Sequence, residues 1–377
     1  MLWMYNSRIP NTIPREYFDP KHEGRSGSVL SQKAYNLVRK KQLECLFVHQ
    51  HKKKLSTLLS PHDYPELEWP VLIGNRHNAI VLLADKAFGS GSYGKVFFGF
   101  CLDTAKLVCI KLQPLTESEP FRLKEAEAEI KNTKRLNTLI DYFYTNIEDK
   151  LCSFLVQDYA YGFDIFHVLY QNNTKVTLSL KDQLSLAIGI TEALDNFHKK
   201  GFVHRDLSLG NIVWDSESKR AELIDFAKMV HLGEAAGVWV DPDGGLRFSA
   251  PELTNLDALG RACYTTKSDI YALGVIFCDI FSKYDINFNV MAQVVQYSSL
   301  KNHTGISQRL AQAAPDLFSL TSKSSDLQKI SKLVKLMVEG DPQKRPSSKK
   351  ILHCLKSIQR QVLVETDKSG KKRNKRY

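Results

Sequence analysis

Apolar positions along the chain change their period several times, and each change marks a different element. Between Gln32 and Leu59 they recur at helical spacing, with Ala34, Leu37, Val38, Leu43, Leu46 and Phe47 on one side. Pro61, Pro65 and Pro70 interrupt the chain after that. Short apolar runs then follow at Ala79 to Leu83, Val96 to Phe100 and Lys106 to Lys111, separated by glycine and polar residues, and these predict strands. A helical pattern returns from Phe121 to Leu136, and Leu180 to His198 forms an amphipathic helix. Leu184, Ala187, Ile188, Leu194 and Phe197 share one face of that helix. The longest apolar run, Ile270 to Phe281, contains Asp279 and is too short to cross a bilayer. Residues 1 to about 31 show no period and carry Pro10, Pro14, Pro20, Gly24 and Gly27, which predicts irregular chain.

Composition adds less. With 43% hydrophobic and 25% charged residues among 377, the chain has room for one large domain or two lobes. Its net charge of +11 favours acidic partners: nucleotides, nucleic acid, an anionic membrane surface or acidic protein segments. Part of the excess lies on the polar side of the first helix (Lys33, Arg39, Lys40, Lys41, Lys52, Lys53, Lys54). More lies in a tail expected to be disordered, Lys368 to Tyr377. Both stretches suit contact with such partners and equally suit plain solvation. The seven cysteines are scattered without a C-x-x-C pair, which argues against a disulfide framework or a zinc site. No signal-peptide region and no transmembrane segment is evident, so an intracellular, cytoplasmic or nuclear protein is the expectation.

The residues with candidate chemistry form a series. Phe88-Gly89-Ser90-Gly91-Ser92-Tyr93-Gly94-Lys95-Val96 is a glycine-rich loop that continues into a strand. A dinucleotide-binding loop would enter a helix, so this one reads as a hairpin whose backbone N–H groups can approach phosphate oxygens. Val96 at its base would press on a purine face. Lys111 closes the apolar Val108-Cys109-Ile110 strand, and a buried ammonium there needs an anion. Glu129 on the following helix is the favoured partner, with Glu125 second. Downstream come Val203-His204-Arg205-Asp206-Leu207-Ser208-Leu209-Gly210-Asn211 and then Leu223-Ile224-Asp225-Phe226-Ala227.

In this order and spacing the motifs resemble the eukaryotic protein-kinase domain of the Ser/Thr type, over roughly residues 76 to 360. That resemblance implies an α+β, bilobal protein-kinase-like fold: a small antiparallel sheet of five strands with one main helix, then a larger helical lobe. The expected division is a basic N-terminal extension 1–75, an N-lobe 76–158, a C-lobe 162–360 and a basic tail 361–377. It implies an ATP-dependent, Mg2+-requiring phosphotransferase acting on protein hydroxyls, most directly serine or threonine, with a role in signalling. Asp206 would be the base, and Asn211 and Asp225 the Mg2+ ligands. Lys111 with Glu129 would position the phosphates, and Phe88 to Gly94 with Val96 would cover the nucleotide. Gln157 would stand at the gatekeeper position, with the backbone of Asp158 and Ala160 on the adenine edge. Further matches are Ala250-Pro251-Glu252, Asp269 on a buried helix bracing the catalytic loop, and Arg345 paired with Glu252.

Three departures stand out. Ser208 replaces the lysine usual two positions after the base, and its usual threonine partner aligns with Gly245. Ala227 replaces the glycine of Asp-Phe-Gly, which is expected to disfavour a flipped loop. Between Asp225 and Ala250 the one hydroxyl is Ser249, so activation without phosphorylation is expected, with Arg205 bonded to Glu234, Asp241 or Asp243 or left to solvent. A kinase-fold scaffold without activity and a small-molecule phosphotransferase are the alternatives.

Overall fold

The structure is a computed structural model that describes residues 71–73, 79–82, 89–91, 94–101, 106–115, 120–147, 150–171, 174–233, 237–240, 248–282, 315–318 and 325–373. The basic helix expected at 32–59 lies outside these residues, as do Phe88, Ser92, Tyr93, Glu234, Asp241, Asp243 and Gly245. The chain divides into two compact units, residues 1–160 and 161–377.

The first unit is an antiparallel sheet. Its strands are β1 (Val71–Ile73), β2 (Ala79–Leu82), β3 (Gly89–Gly91), β4 (Gly94–Cys101), β5 (Lys106–Leu115), β6 (Leu139–Ile147) and β7 (Lys150–Asp158). They lie in the order β1-β2-β4-β5-β7-β6, with β3 also paired to β4. Seven strands thus stand where five were expected. The reason is in the register: β2 and β3 both pair with β4, through Leu82 opposite Gly99 and Gly89 opposite Val96, so they are two pieces of one row. The short β1 then adds to β2. It lies before residue 76, so the sheet begins earlier than the sequence boundary placed it.

Alternation along these strands sends Ile80, Val108, Ile110, Phe143, Phe154 and Val156 into one core. Phe143 and Phe154 stack with ring centroids 4.6 Å apart, a contact worth about 0.5–1.5 kcal/mol beyond its buried area. Helix α1 (Pro120–Leu136) packs against β5, β6 and β7.

The second unit is mostly helical. It contains β8 (Phe163–Asp164), α2 (Ile165–Leu169), β9 (Tyr170–Gln171), β10 (Thr174–Lys175), α3 (Leu180–Lys199), β11 (Phe202–Val203), β12 (Ile212–Asp215), β13 (Arg220–Leu223), β14 (Val230–His231), β15 (Val238–Val240) and β16 (Ala262–Tyr264). Helices α4 (Thr266–Phe281), α5 (Pro315–Phe318), α6 (Ser325–Met337) and α7 (Ser348–Arg373) complete it. Ser179 caps α3 by accepting the Asp182 N–H, and Thr265 with Ser268 forms a capping box on α4. From Ser268 onward α4 is buried all round, as its unbroken apolar run required. Gly274 admits the end of α6 and the residue after it: a Cβ there would lie 3.0 Å from Met337 Cβ and 2.7 Å from Val338 Cγ1. Helix α7 packs on α3 and runs on to Arg373, so Lys368 to Arg373 are helical where a disordered tail was expected. Among the described residues no helix is long and apolar enough to cross a membrane.

Within α4, burial pushes the Cys278 thiol and the Tyr271 phenol above their ordinary 9.0 and 10.0. Folded values above unfolded ones give stability that is whole below about pH 9 and is lost as pH climbs through the folded values. The Tyr271 hydroxyl is buried and has no hydrogen-bond partner among the described residues. Tyr271→Phe is therefore expected to hold or raise stability at pH 7, by up to about 1 kcal/mol, and to flatten the alkaline loss. Denaturant unfolding at pH 7 and pH 11 checks this, and a loss above about 1 kcal/mol at pH 7 contradicts it.

Candidate functional site

In the first unit the glycine-rich stretch is a hairpin. Gly91 pairs with Gly94 and Gly89 with Val96, and Val96 in turn stands opposite Lys111. Gly94 has φ +147°, and a Cβ on it would lie 2.2 Å from the Leu112 carbonyl oxygen, so only glycine fits. The hairpin thus borders the row that carries Lys111, a residue only 7% exposed. Its Nζ donates to Glu129 Oε1 at 2.9 Å and Oε2 at 2.7 Å. Glu129, on α1, is 1% exposed, and it is this acid rather than Glu125 that meets the lysine. Burial pushes the thiol of the neighbouring Cys109 up to about 12, so it stays protonated at neutral pH.

At the end of β7 the Asp158 N–H donates to Thr138 O at 2.9 Å. Gln157 Oε1 is buried without a hydrogen-bond partner among the described residues. An orphaned buried oxygen of this kind suits a ligand donor.

In the second unit, Asp206, Asn211, His204 and Ile224 belong to one network, and Ile224 is the residue before Asp225. Asn211 Nδ2 donates to the Asp206 carbonyl at 2.8 Å and lies 3.3 Å from Asp206 Oδ2. The other amide atom, Oδ1, and the Asp225 carboxylate are both hard oxygen ligands of the type that Mg2+ takes. The backbone of Ile224 joins the two stretches: its N–H donates to Asn211 O at 3.0 Å, and its carbonyl lies 3.1 Å from His204 Nε2. His204 Nδ1 accepts the Asp206 N–H at 3.3 Å. A ring that donates from Nε2 and accepts at Nδ1 is a neutral imidazole in a fixed tautomer. His204 therefore links Asp206 to the residue before Asp225.

Asp269, at the start of α4, anchors this network. Its Oδ2 accepts the His204 N–H at 2.9 Å, its Oδ1 accepts the Arg205 N–H at 3.0 Å, and His198 Nε2 lies 2.9 Å from Oδ2. Arg205 and Asp225 both hold left-handed backbone, at φ +69° and +62°. Non-glycine residues seldom do so, and such strain persists where the surroundings impose it. The left-handed residue is Asp225, not Ala227. Phe226 is buried against Phe197 and His204.

Arg205 has partners the sequence did not suggest. Its guanidinium lies 4.3 Å above the Tyr264 ring, and Nη1 donates to the Lys228 carbonyl at 3.0 Å. Downstream, Arg345 is 1% exposed and grips Glu252 through both nitrogens, at 2.8 and 2.6 Å. It also bonds the carbonyls of Glu339 and Lys267. Sequence reasoning missed His198, Tyr264 and Lys228, because nothing local distinguishes a partner supplied by another element.

A sequence model of the protein kinase domain family matches residues 83–355. Among curated relatives, the chain is 25% identical over 306 residues to the membrane-associated tyrosine- and threonine-specific cdc2-inhibitory kinase wee-1.3 of Caenorhabditis briggsae. That match covers 77% of this chain and 40% of the relative. It is 28% identical over 293 residues to LysM domain receptor-like kinase 3 of Arabidopsis thaliana, covering 72% of the chain and 43% of the relative. To the human serine/threonine-protein kinase Kist it is 28% identical over 165 residues, covering 41% and 36%. The chain spans less than half the length of each of these relatives.

Removing one member of a buried ion pair leaves the other less compensated. Glu129→Ala takes the two Glu129 oxygens from the Lys111 ammonium, and a stability loss of about 2–5 kcal/mol, beyond the range of an exposed pair, is expected in denaturant unfolding. A loss below about 1 kcal/mol, the range of an exposed pair, contradicts this reading.

Proposed function

Because the chain belongs to the protein kinase family, we propose that it transfers the γ-phosphoryl group of ATP to protein hydroxyls, serine or threonine first. The observation that carries this reading is the single network through His204 that ties Asp206 and Asn211 to Ile224, the residue before Asp225. The Lys111–Glu129 pair beside the glycine hairpin supports it from the other unit. The printed names of relatives include both a serine/threonine kinase and a tyrosine- and threonine-specific kinase. Threonine is common to both descriptions.

In this mechanism Asp206 accepts the proton of the acceptor hydroxyl at its carboxylate. The Asn211 amide bond to the Asp206 carbonyl fixes the loop, so the base needs no reorganisation during transfer. Lys111, held straight by Glu129, offers its ammonium to the α- and β-phosphates. Gly89, Gly91 and Gly94 bring backbone N–H groups close to phosphate oxygens. The carbonyl of Asp158 and the N–H of Ala160 serve the adenine edge. Asn211 and Asp225 would hold Mg2+, which would supply neutralising charge for the phosphates. Arg205 is already engaged by the Tyr264 ring and the Lys228 carbonyl. This supports activity without a phosphorylated activation segment.

Phosphatase-treated protein incubated with Mg2+ and labelled ATP is expected to label itself or a generic protein substrate. Asp206→Asn should lower that rate by about a thousandfold, the scale of a lost general base. Failure to label any protein under any divalent metal favours a scaffold, and labelling of small molecules alone favours a small-molecule phosphotransferase.

A further inference from the structure

Position 208 carries a serine where the family resemblance expects a lysine, and a hydroxyl cannot place positive charge beside the transferred phosphoryl group. Transfer is catalysed mainly by positioning and by charge stabilisation, so losing a cation there costs rate unless another takes its place. One stands close by. Lys228, three residues after Asp225, holds its Nζ 3.4 Å from Asp206 Oδ2, with side chains 16% and 34% exposed. Its backbone is fixed as well, since the Lys228 carbonyl accepts from Arg205 Nη1 and the Met229 N–H closes a turn on Phe226 O.

We propose that Lys228 supplies the cation missing from position 208, contacting the γ-phosphoryl group during transfer. The proposal rests on the reading of the chain as an ATP-dependent phosphotransferase with Asp206 as base. The distances permit it. An acceptor hydroxyl bonded to Asp206 lies about 2.6–3.2 Å from the carboxylate, and the reacting phosphorus about 3–3.5 Å beyond. A lysine already touching that carboxylate needs only rotation about its flexible stem to reach the phosphoryl oxygens. As the acceptor oxygen bonds to phosphorus, the bond to the bridging oxygen breaks and its electron pair leaves on ADP. Asp206 takes the hydroxyl proton, and Lys228 stays protonated throughout. With substrates absent, the same ammonium neutralises Asp206, which explains why the two are paired in this structure.

The test compares wild type, Lys228→Met (which keeps the apolar stem) and Lys228→Met with Ser208→Lys, each checked by thermal melting. Equilibrium binding of ADP and of a non-hydrolysable triphosphate analogue is measured with Mg2+, alongside turnover. Lys228→Met should weaken analogue binding roughly tenfold, the size of one charge-assisted hydrogen bond, and leave ADP binding nearly unchanged. Its kcat should fall by a similar factor or more, and Ser208→Lys should restore both. Equal losses for the two nucleotides, or no rescue at position 208, would assign Lys228 a structural role and overturn the proposal. Tighter binding or faster turnover in Lys228→Met would make it a block on the base and overturn it too. Lysine-dependent preference for the triphosphate without transfer to protein supports the assignment while sinking the proposed reaction. Binding of neither nucleotide sinks both.

Discussion

One buried carboxylate, Asp269, holds the candidate site in shape. It is 2% exposed, and such a group persists in the interior only with its acceptor capacity filled. It is filled by the backbone N–H groups of His204 and Arg205 and by the ring of His198. Those bonds come from the end of α3 and from the loop after β11, so three segments are fixed at one point. Arg205 holds its left-handed backbone directly after the amide that donates to Asp269. From there the imidazole of His204 carries the constraint onward to Asp206 and to Ile224, and thus to the strained Asp225.

The departures from the family pattern become coherent around this frame. Loss of the lysine at 208 sits beside a lysine at 228 that touches the same aspartate. Arg205, which elsewhere could wait for a phosphate, is occupied by an aromatic face and a carbonyl. Both sets of contacts, from Lys228 and from Tyr264, reach the loop that carries Arg205 and Asp206.

How much was legible before the structure depended on range. Apolar period revealed α3, β4 and β5, because each buries a face long enough to leave a repeating signature, whereas α4 was readable as a helix only through the family resemblance. Lys111 declared its need for an acid, and the helix carrying Glu129 and Glu125 followed at once; choosing between them required the geometry of α1. Arg345 and Glu252 were readable as a pair only through the family resemblance. The split edge row of β2 and β3 was not readable, since register depends on pairing across strands. Nor was the helical extension of α7 to Arg373, where lysine and arginine content resembles a disordered tail while remaining compatible with helix. His198, Tyr264 and Lys228 stayed hidden for the same reason: each acts through a partner distant in sequence or placed by a turn.

The measurement that bears most directly on this account is amide hydrogen exchange on wild type and Asp269→Asn, with phosphoryl transfer assayed on the same samples. The account predicts that protection of the His204 and Arg205 amides falls while the amides of α3 and α7 keep theirs, and that transfer drops by about a hundredfold or more. Unchanged protection at those two amides, or transfer at the wild-type rate without them, would contradict it.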